Sequence, residues 1–157
     1  MNAPILTEQE ALDAVDSERR RGNKVAFANG CFDVLHVGHI RYLQGAAAQA
    51  DILIVGVNGD RSVRNLKGEG RPVMSEHERA ELISAIRGVT FVTVFHEDSP
   101  ARLLGVLKPD FHCKGSDYTP DSVPEREVVR SYGGKVVIVG DPKDHSTTAI
   151  LERMRGR

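Results

Sequence analysis

Asn29-Gly30-Cys31-Phe32-Asp33-Val34-Leu35-His36-Val37-Gly38-His39 lies between an apolar run, Lys24-Val25-Ala26-Phe27-Ala28, and a helix-forming stretch through Tyr42, Leu43, Ala46, Ala47 and Ala50. A buried strand that turns through this segment into a helix is the start of a βα unit. The first turn of a helix has backbone N–H groups without intrahelical partners and a partial positive charge, so it suits an anion. Gly38 carries no side chain to hold an anion away from the backbone. His36 and His39, three residues apart, project to nearly the same side of one turn, and each can donate a hydrogen bond. The stretch therefore reads as a polyphosphate site. Zinc is a poor alternative, because no cysteine or acidic third ligand accompanies the two histidines at ligand spacing.

Further along, strands and helices alternate. Thr7 with Glu10 forms a capping box for a polar helix ending near Gly22. Ile52-Leu53-Ile54-Val55-Gly56-Val57 is an unbroken apolar run, as expected of a strand covered on both faces. A polar, glycine-containing loop follows over 65–72, and Ser75 with Glu78 caps a helix to about Arg87. The third strand is expected over 89–94, and Ser99-Pro100 starts a helix over 101–107. A short strand over 111–114, a helix near 127–132, a strand over 135–139 and a last helix over 149–155 complete the order. Residues 1–157 are expected as a single domain, with an N-terminal helix in 1–23 and a core over 24–155. The fold class is α/β: a Rossmann-like, five-stranded parallel sheet with helices on both faces and right-handed crossovers. Ligands in such sheets bind at the carboxyl ends of the strands, where strand order reverses.

Bulk properties narrow the partners. With a net charge of −1 there is no global attraction to nucleic acid or anionic membrane, so any anion site is local. Cys31 and Cys113 are too few for a disulfide scaffold and suit a reducing, cytoplasmic setting. The N-terminus lacks a signal-peptide pattern, and no apolar stretch approaches the ~20 residues needed to span a bilayer. The amphipathic N-terminal helix could serve a homodimer contact or cover the sheet.

Three further segments could join the phosphate turn. Ser146-Thr147-Thr148 opens the last helix; it is an N-cap and also a set of hydroxyl and N–H donors. Lys67 and Arg71 lie on the loop after the second strand, where a mobile lysine could close over phosphates. In Lys114-Gly115-Ser116-Asp117-Tyr118, Gly115 permits close approach, Asp117 accepts hydrogen bonds and Tyr118 offers a stacking face. Taken alone, this last segment is equally well a turn. His77, His96 and His112 have no constellation around them and read as structural, and no base accompanies Cys31 as a nucleophile.

In this order the segments resemble the His-x-Gly-His nucleotidyltransferases of cytidylyltransferase-like fold, and among them the heptose 1-phosphate adenylyltransferases. The resemblance runs from Lys24 to Met154 and rests on 29–39, Gly56-Val57-Asn58-Gly59-Asp60, Leu66-Lys67-Gly68 to Arg71-Pro72-Val73, 114–118 and Ser146-Thr147-Thr148-Ala149-Ile150. It implies transfer of AMP from ATP, with Mg²⁺ riding on the triphosphate, to a sugar 1-phosphate such as D-glycero-D-manno-heptose 1-phosphate. Catalysis would fall to His36, His39, Lys67 and Thr147. Nucleotide contacts would come from Asn29, Gly30, Phe32, Gly38, Lys114, Gly115, Asp117, Tyr118, Ser146, Thr147 and Thr148. Asp33, Asn58 and Arg71 would contact the acceptor, at a mouth near Lys67 and Arg71.

Departures from the pattern are Ser116 in place of a second glycine, Gly59 in place of serine, and the stretch Pro142-Lys143-Asp144-His145. Related cytidylyltransferases acting on glycerol 3-phosphate usually carry Arg-Thr where this chain has Asp141-Pro142. Pantetheine adenylyltransferases usually carry threonine at the position of His36. An FMN adenylyltransferase and a non-catalytic nucleotide-binding module are the remaining alternatives.

Overall fold

The computed structural model describes residues 1–141 and 146–156. Thirteen elements follow one another: β1 (Ile5–Leu6), α1 (Glu8–Arg20), β2 (Val25–Gly30), α2 (Val37–Ala47), β3 (Ile52–Asn58), α3 (Asp60–Lys67), α4 (Glu76–Ser84), β4 (Phe91–Phe95), α5 (Ala101–Leu107), β5 (Phe111–Lys114), α6 (Arg126–Ser131), β6 (Lys135–Ile138) and α7 (Thr147–Met154). The strands form one sheet in the order β1-β4-β3-β2-β5-β6, every pair parallel. The chain winds outward from β2 through β3 to β4, then crosses back to β5 and β6. The order therefore reverses between β2 and β5, and their carboxyl ends flank the crevice where such sheets bind ligands.

Each face of the sheet has its own core. One gathers Ala26, Ala28, Leu53, Val55 and Cys113 from the strands with Leu43 and Ala46 of α2 and Ala80 and Ile83 of α4. The other gathers Val25, Phe27, Ile52 and Ile54 with Ala11 and Val15 of α1, Leu103, Leu104 and Leu107 of α5, and Val129 of α6. All seven β3 residues are buried, as a centrally placed parallel strand requires. Gly56 leaves space in that strand for aromatic rings: a Cβ there would lie 2.9 Å from the Phe27 ring and 3.2 Å from that of Phe95.

The sequence reading differs from this arrangement in three ways. The sheet has six strands instead of five, because Ile5–Leu6 pairs with Val92 and Thr93 at the edge of β4. Two residues carry no readable alternation, and only the neighbouring strand makes them one. The loop expected over 65–72 begins as α3, which runs to Lys67 and stops at Gly68, whose φ of 96° suits glycine. The first strand extends through Asn29 and Gly30, because both continue the ladder with β3. α1 covers the sheet, burying Ala11 and Val15 against it.

Candidate active site

The motif stretch leaves β2 through two residues in the left-handed region, Phe32 (φ 50°) and Val34 (φ 59°). For a β-branched residue that conformation is costly and needs support from its surroundings. The support comes from Asp33 and Thr147. The Asp33 side chain is fully buried and accepts from Arg71 Nε at 2.7 Å, from Val73 N at 2.8 Å and from Met74 N at 3.1 Å. Burial alone would push this carboxyl up, but those donors hold it below the ordinary carboxylate range. Thr147 donates its hydroxyl to the carbonyls of Asp33, at 2.8 Å, and Val34, at 3.1 Å. The turn is thus tied to the segment before α4 and to the start of α7.

α2 is capped by the two histidines themselves. His36 Nδ1 accepts from Gly38 N at 3.1 Å, and His39 Nδ1 accepts from the backbone N–H of His36 at 3.2 Å. This is the reciprocal geometry of a capping box, made by imidazoles. Because each Nδ1 accepts, each ring carries its proton on Nε2, which becomes its donor atom. The rings stack at 3.9 Å between centroids, tilted by 23°, and Phe32 meets His39 edge-on at 5.5 Å. Tyr42, one turn on, donates to the carbonyl of Cys113 at 2.6 Å, and Arg41 pairs with Asp141 at 2.7 Å. These contacts dock α2 onto the β5 and β6 end of the sheet.

A cavity of about 750 Å³ opens above the β2 and β5 ends. His36, His39, Lys67, Thr147, Asn29, Gly30, Phe32, Gly38, Lys114, Gly115, Asp117, Tyr118, Ser146, Thr148, Asp33, Asn58 and Arg71 all border it, so every residue singled out from sequence converges there. Their situations differ. Lys67 ends α3 and is exposed. Asn58 is buried and donates to Ser62 Oγ at 2.8 Å. Ser146 caps α7 by accepting from Ala149 N at 3.0 Å. Asp33 and Arg71, expected on the acceptor, bond each other, because the carboxylate is needed to hold the turn. The stretch 142–145, noted above as a departure, lies outside the described residues. Gly59 stands where a Cβ would come within 2.7 Å of Nδ1 of His96, so a serine there would displace that ring.

Sequence reasoning missed two residues. Arg79 of α4 is fully buried, with Nη1 on the carbonyls of Cys31 (2.7 Å) and Asn58 (2.6 Å), Nε on that of Met74 (3.0 Å) and Nη2 on Asp60 (2.8 Å). Glu125, just before α6, is buried at the cavity wall. A helix residue four after a cap and a carboxylate in a loop carry no local signal of either role. Of the histidines read as structural, His112 is buried in the sheet with Nε2 3.1 Å from Asn29 Oδ1, and burial pushes its pKa down to about 3. The Cys31 thiol is pushed up by burial, which disfavours a nucleophilic thiolate. Among the described residues no group of three His, Cys, Asp or Glu side chains is placed to hold a metal, and no helix is long and apolar enough to cross a membrane.

Comparison with known proteins places this geometry. The model of the family described as cytidylyltransferase-like matches residues 27–153, which hold most of β2, all of β3 to β6, both helix starts and the cavity lining. The chain belongs to the cytidylyltransferase-like family. Family relatives include the bifunctional protein HldE of Syntrophotalea carbinolica, 46% identical over 99% of this chain and 32% of the relative. The HldE protein of Geotalea uraniireducens is 50% identical over 93% of this chain and 30% of the relative. The chain thus spans about a third of the length of these curated relatives. Among solved structures, a lipopolysaccharide core biosynthesis protein from Thermoplasma volcanium superposes with a TM-score of 0.67 at 30% identity, over 78% of this chain and all of that one.

Proposed function

We propose that the chain transfers AMP from ATP to a sugar 1-phosphate, D-glycero-D-manno-heptose 1-phosphate, giving ADP-heptose and pyrophosphate. The observation that carries this reading is the pair of stacked imidazoles at the start of α2, each with Nδ1 occupied by backbone and its proton on Nε2. Such donors are fixed before substrate arrives, as stabilisation of developing phosphate charge requires. The α7 start, joined to the same turn through Thr147, brings a second helix N-terminus to the cavity. The likeness to HldE proteins supports the choice of heptose.

In the reaction an oxygen of the sugar phosphate forms a bond to the α-phosphorus of ATP, and the bond from that phosphorus to the bridging oxygen breaks, releasing pyrophosphate. The attacking oxygen is already anionic at neutral pH, so the chain supplies alignment and charge stabilisation and needs no general base. His36 and His39 take the nucleotide phosphates through Nε2. Ser146, Thr147 and Thr148 at the α7 start hold the β and γ groups, and Lys67 reaches in from the end of α3. The base and ribose lie along Gly115 to Tyr118. Asp33, the carboxylate in the phosphate turn, is occupied by Arg71, Val73 and Met74, so magnesium belongs to the incoming MgATP and is not given a protein cage.

The test is pyrophosphate release with four nucleoside triphosphates crossed with heptose 1-phosphate (both anomers), glycerol 3-phosphate and flavin mononucleotide. ATP with heptose 1-phosphate is expected to give the highest kcat/KM; a higher value for CTP with glycerol 3-phosphate, or for FMN, refutes the reading. H39A should lower turnover by about 10²–10³-fold, as loss of one positioned donor does. Near-normal turnover in folded H39A would remove the imidazoles from the chemistry.

A further inference from the structure

The register of β2 and β5 sets a buried imidazole behind one side chain of the cavity wall. Phe27 and His112 are ladder partners, with rings 5.7 Å apart and tilted by 53°. Ladder partners point to the same side of a sheet, and so do residues two apart on one strand. Asn29 therefore follows Phe27 onto the side where His112 lies. Asn29 borders the cavity, whereas His112 is fully buried. The two side chains meet on the diagonal, with Nε2 of His112 3.1 Å from Oδ1 of Asn29.

The surroundings of the ring decide which way this bond runs. Burial, and then the Lys114 charge, push the pKa of His112 down to about 3, so near neutral pH the ring is uncharged and carries one N–H. Nδ1 is buried and has no hydrogen-bond partner among the described residues. A donor orphaned in a core is rarer than an orphaned acceptor, so the proton sits on Nε2 and is donated to Asn29 Oδ1. The Asn29 backbone is held separately, by the ladder with Gly56 and by its N–H, which donates to Tyr42 Oη at 3.4 Å. Its carboxamide has only the imidazole, and among the described residues no acceptor bonds Nδ2. For packing alone a histidine is a poor choice here. An aliphatic side chain would fill the space beside Phe27 without giving up hydration or leaving Nδ1 bare.

We infer that His112 is a positioning residue: through Nε2 it holds Asn29 Oδ1 and so turns the Asn29 amide N–H donors toward the nucleotide that enters the cavity. It touches no substrate itself. Asn29 is among the residues expected on the nucleotide, so this role rests on the nucleotidyl-transfer reading and adds the group that orients one of its donors. A carboxamide presents either its oxygen or its N–H groups, depending on a half-turn. A ring that only donates from Nε2 fixes which end faces the ligand. Donors held in place before the ligand arrives need no ordering when it binds. A histidine read from sequence as structural thus acts on the site from one layer behind it.

The experiment titrates α,β-methylene-ATP with magnesium calorimetrically into wild type, N29A, H112L, H112Q and the double variant N29A/H112L, with KM and kcat measured alongside. H112L should weaken the analogue and raise the KM for ATP about three- to tenfold, the effect of one lost hydrogen bond. H112Q, whose amide can donate to the same oxygen, should return to within about twofold of wild type. In the N29A background H112L should add less than about twofold, because the group it positions is gone. An equal loss from H112L in both backgrounds would make His112 a purely structural residue and overturn the inference, as would an N29A that binds the analogue like wild type. Nitrogen NMR shifts of the His112 ring in wild type need no variant and decide if H112L fails to fold. Nε2 protonated and Nδ1 bare is the expected tautomer, and the reverse overturns the assignment. Coupling between Asn29 and His112 in the calorimetry, with no pyrophosphate released, would defeat the transfer reading and leave the role of His112 standing; turnover without coupling would do the opposite.

Discussion

His36 and His39 each accept a backbone N–H through Nδ1, so the pair of side chains proposed to meet phosphate also builds the cap of α2. His112 shows a different use of an imidazole. It is buried, its Nδ1 has no hydrogen-bond partner among the described residues, and its pKa is held near 3 by burial first and by the Lys114 charge second. A histidine titrates near 6.5 when unfolded. Between those values the unfolded chain binds a proton that the native chain refuses, so stability falls as pH drops below about 6.5. The free energy of unfolding from urea titrations should decline from pH 7 to pH 5, with a slope of at most ~1.4 kcal/mol per pH unit from this residue. The difference between wild type and H112Q isolates that part; equal slopes in the two proteins would show that the imidazole is not responsible.

At the scale of elements, capping decides where the site-bearing helices begin. Ser75 and Glu78 close a reciprocal box at the start of α4, with bonds of 3.2 Å and 3.1 Å, and Val73 and Met74 just before it bind Asp33. S75A should cost about 1 kcal/mol in urea unfolding, the usual effect of losing such a cap. A cost indistinguishable from zero would mean that α4 is held by Arg79 and packing alone. The boxes at Thr7 and Ser75 are readable in sequence because hydroxyl and carboxylate types at that spacing are familiar. The box at His36 has the same spacing in residues not usually read as caps, so its second purpose emerged only from the fold. The last turn of α3 reads as loop because its polar run ends at Lys67-Gly68-Glu69-Gly70, and the helix's buried residues, Ser62 and Val63, are too few for a periodic pattern.

For the whole molecule, Arg79 is the joint. Its guanidinium binds the ends of β2 and β3 and the segment before α4, through the carbonyls of Cys31, Asn58 and Met74. R79M should destabilise by about 3–5 kcal/mol, because three buried acceptors and Asp60 lose their partner together. R79K, which keeps the charge and loses the fork, should recover only part of that. Urea unfolding of the two variants measures both, and full stability in R79K would show that charge alone suffices.

The sequence by itself determined the alternation of strands and helices, the parallel sheet, and a helix-opening turn with two histidines at the first βα junction. Those properties follow from local patterns: apolar runs, caps and a helix start that welcomes an anion. Convergence of 29–39, 114–118 and 146–148 on one cavity was legible only through resemblance, since no local rule states which strand lies beside which. Tertiary structure alone decided the sixth strand at the edge, the tie between Asp33 and Arg71 across 38 residues, the joint at Arg79 and the burial of Glu125. Each of these depends on which distant segments the fold packs together, and a side chain's partners, unlike its periodicity, are not written in its neighbours.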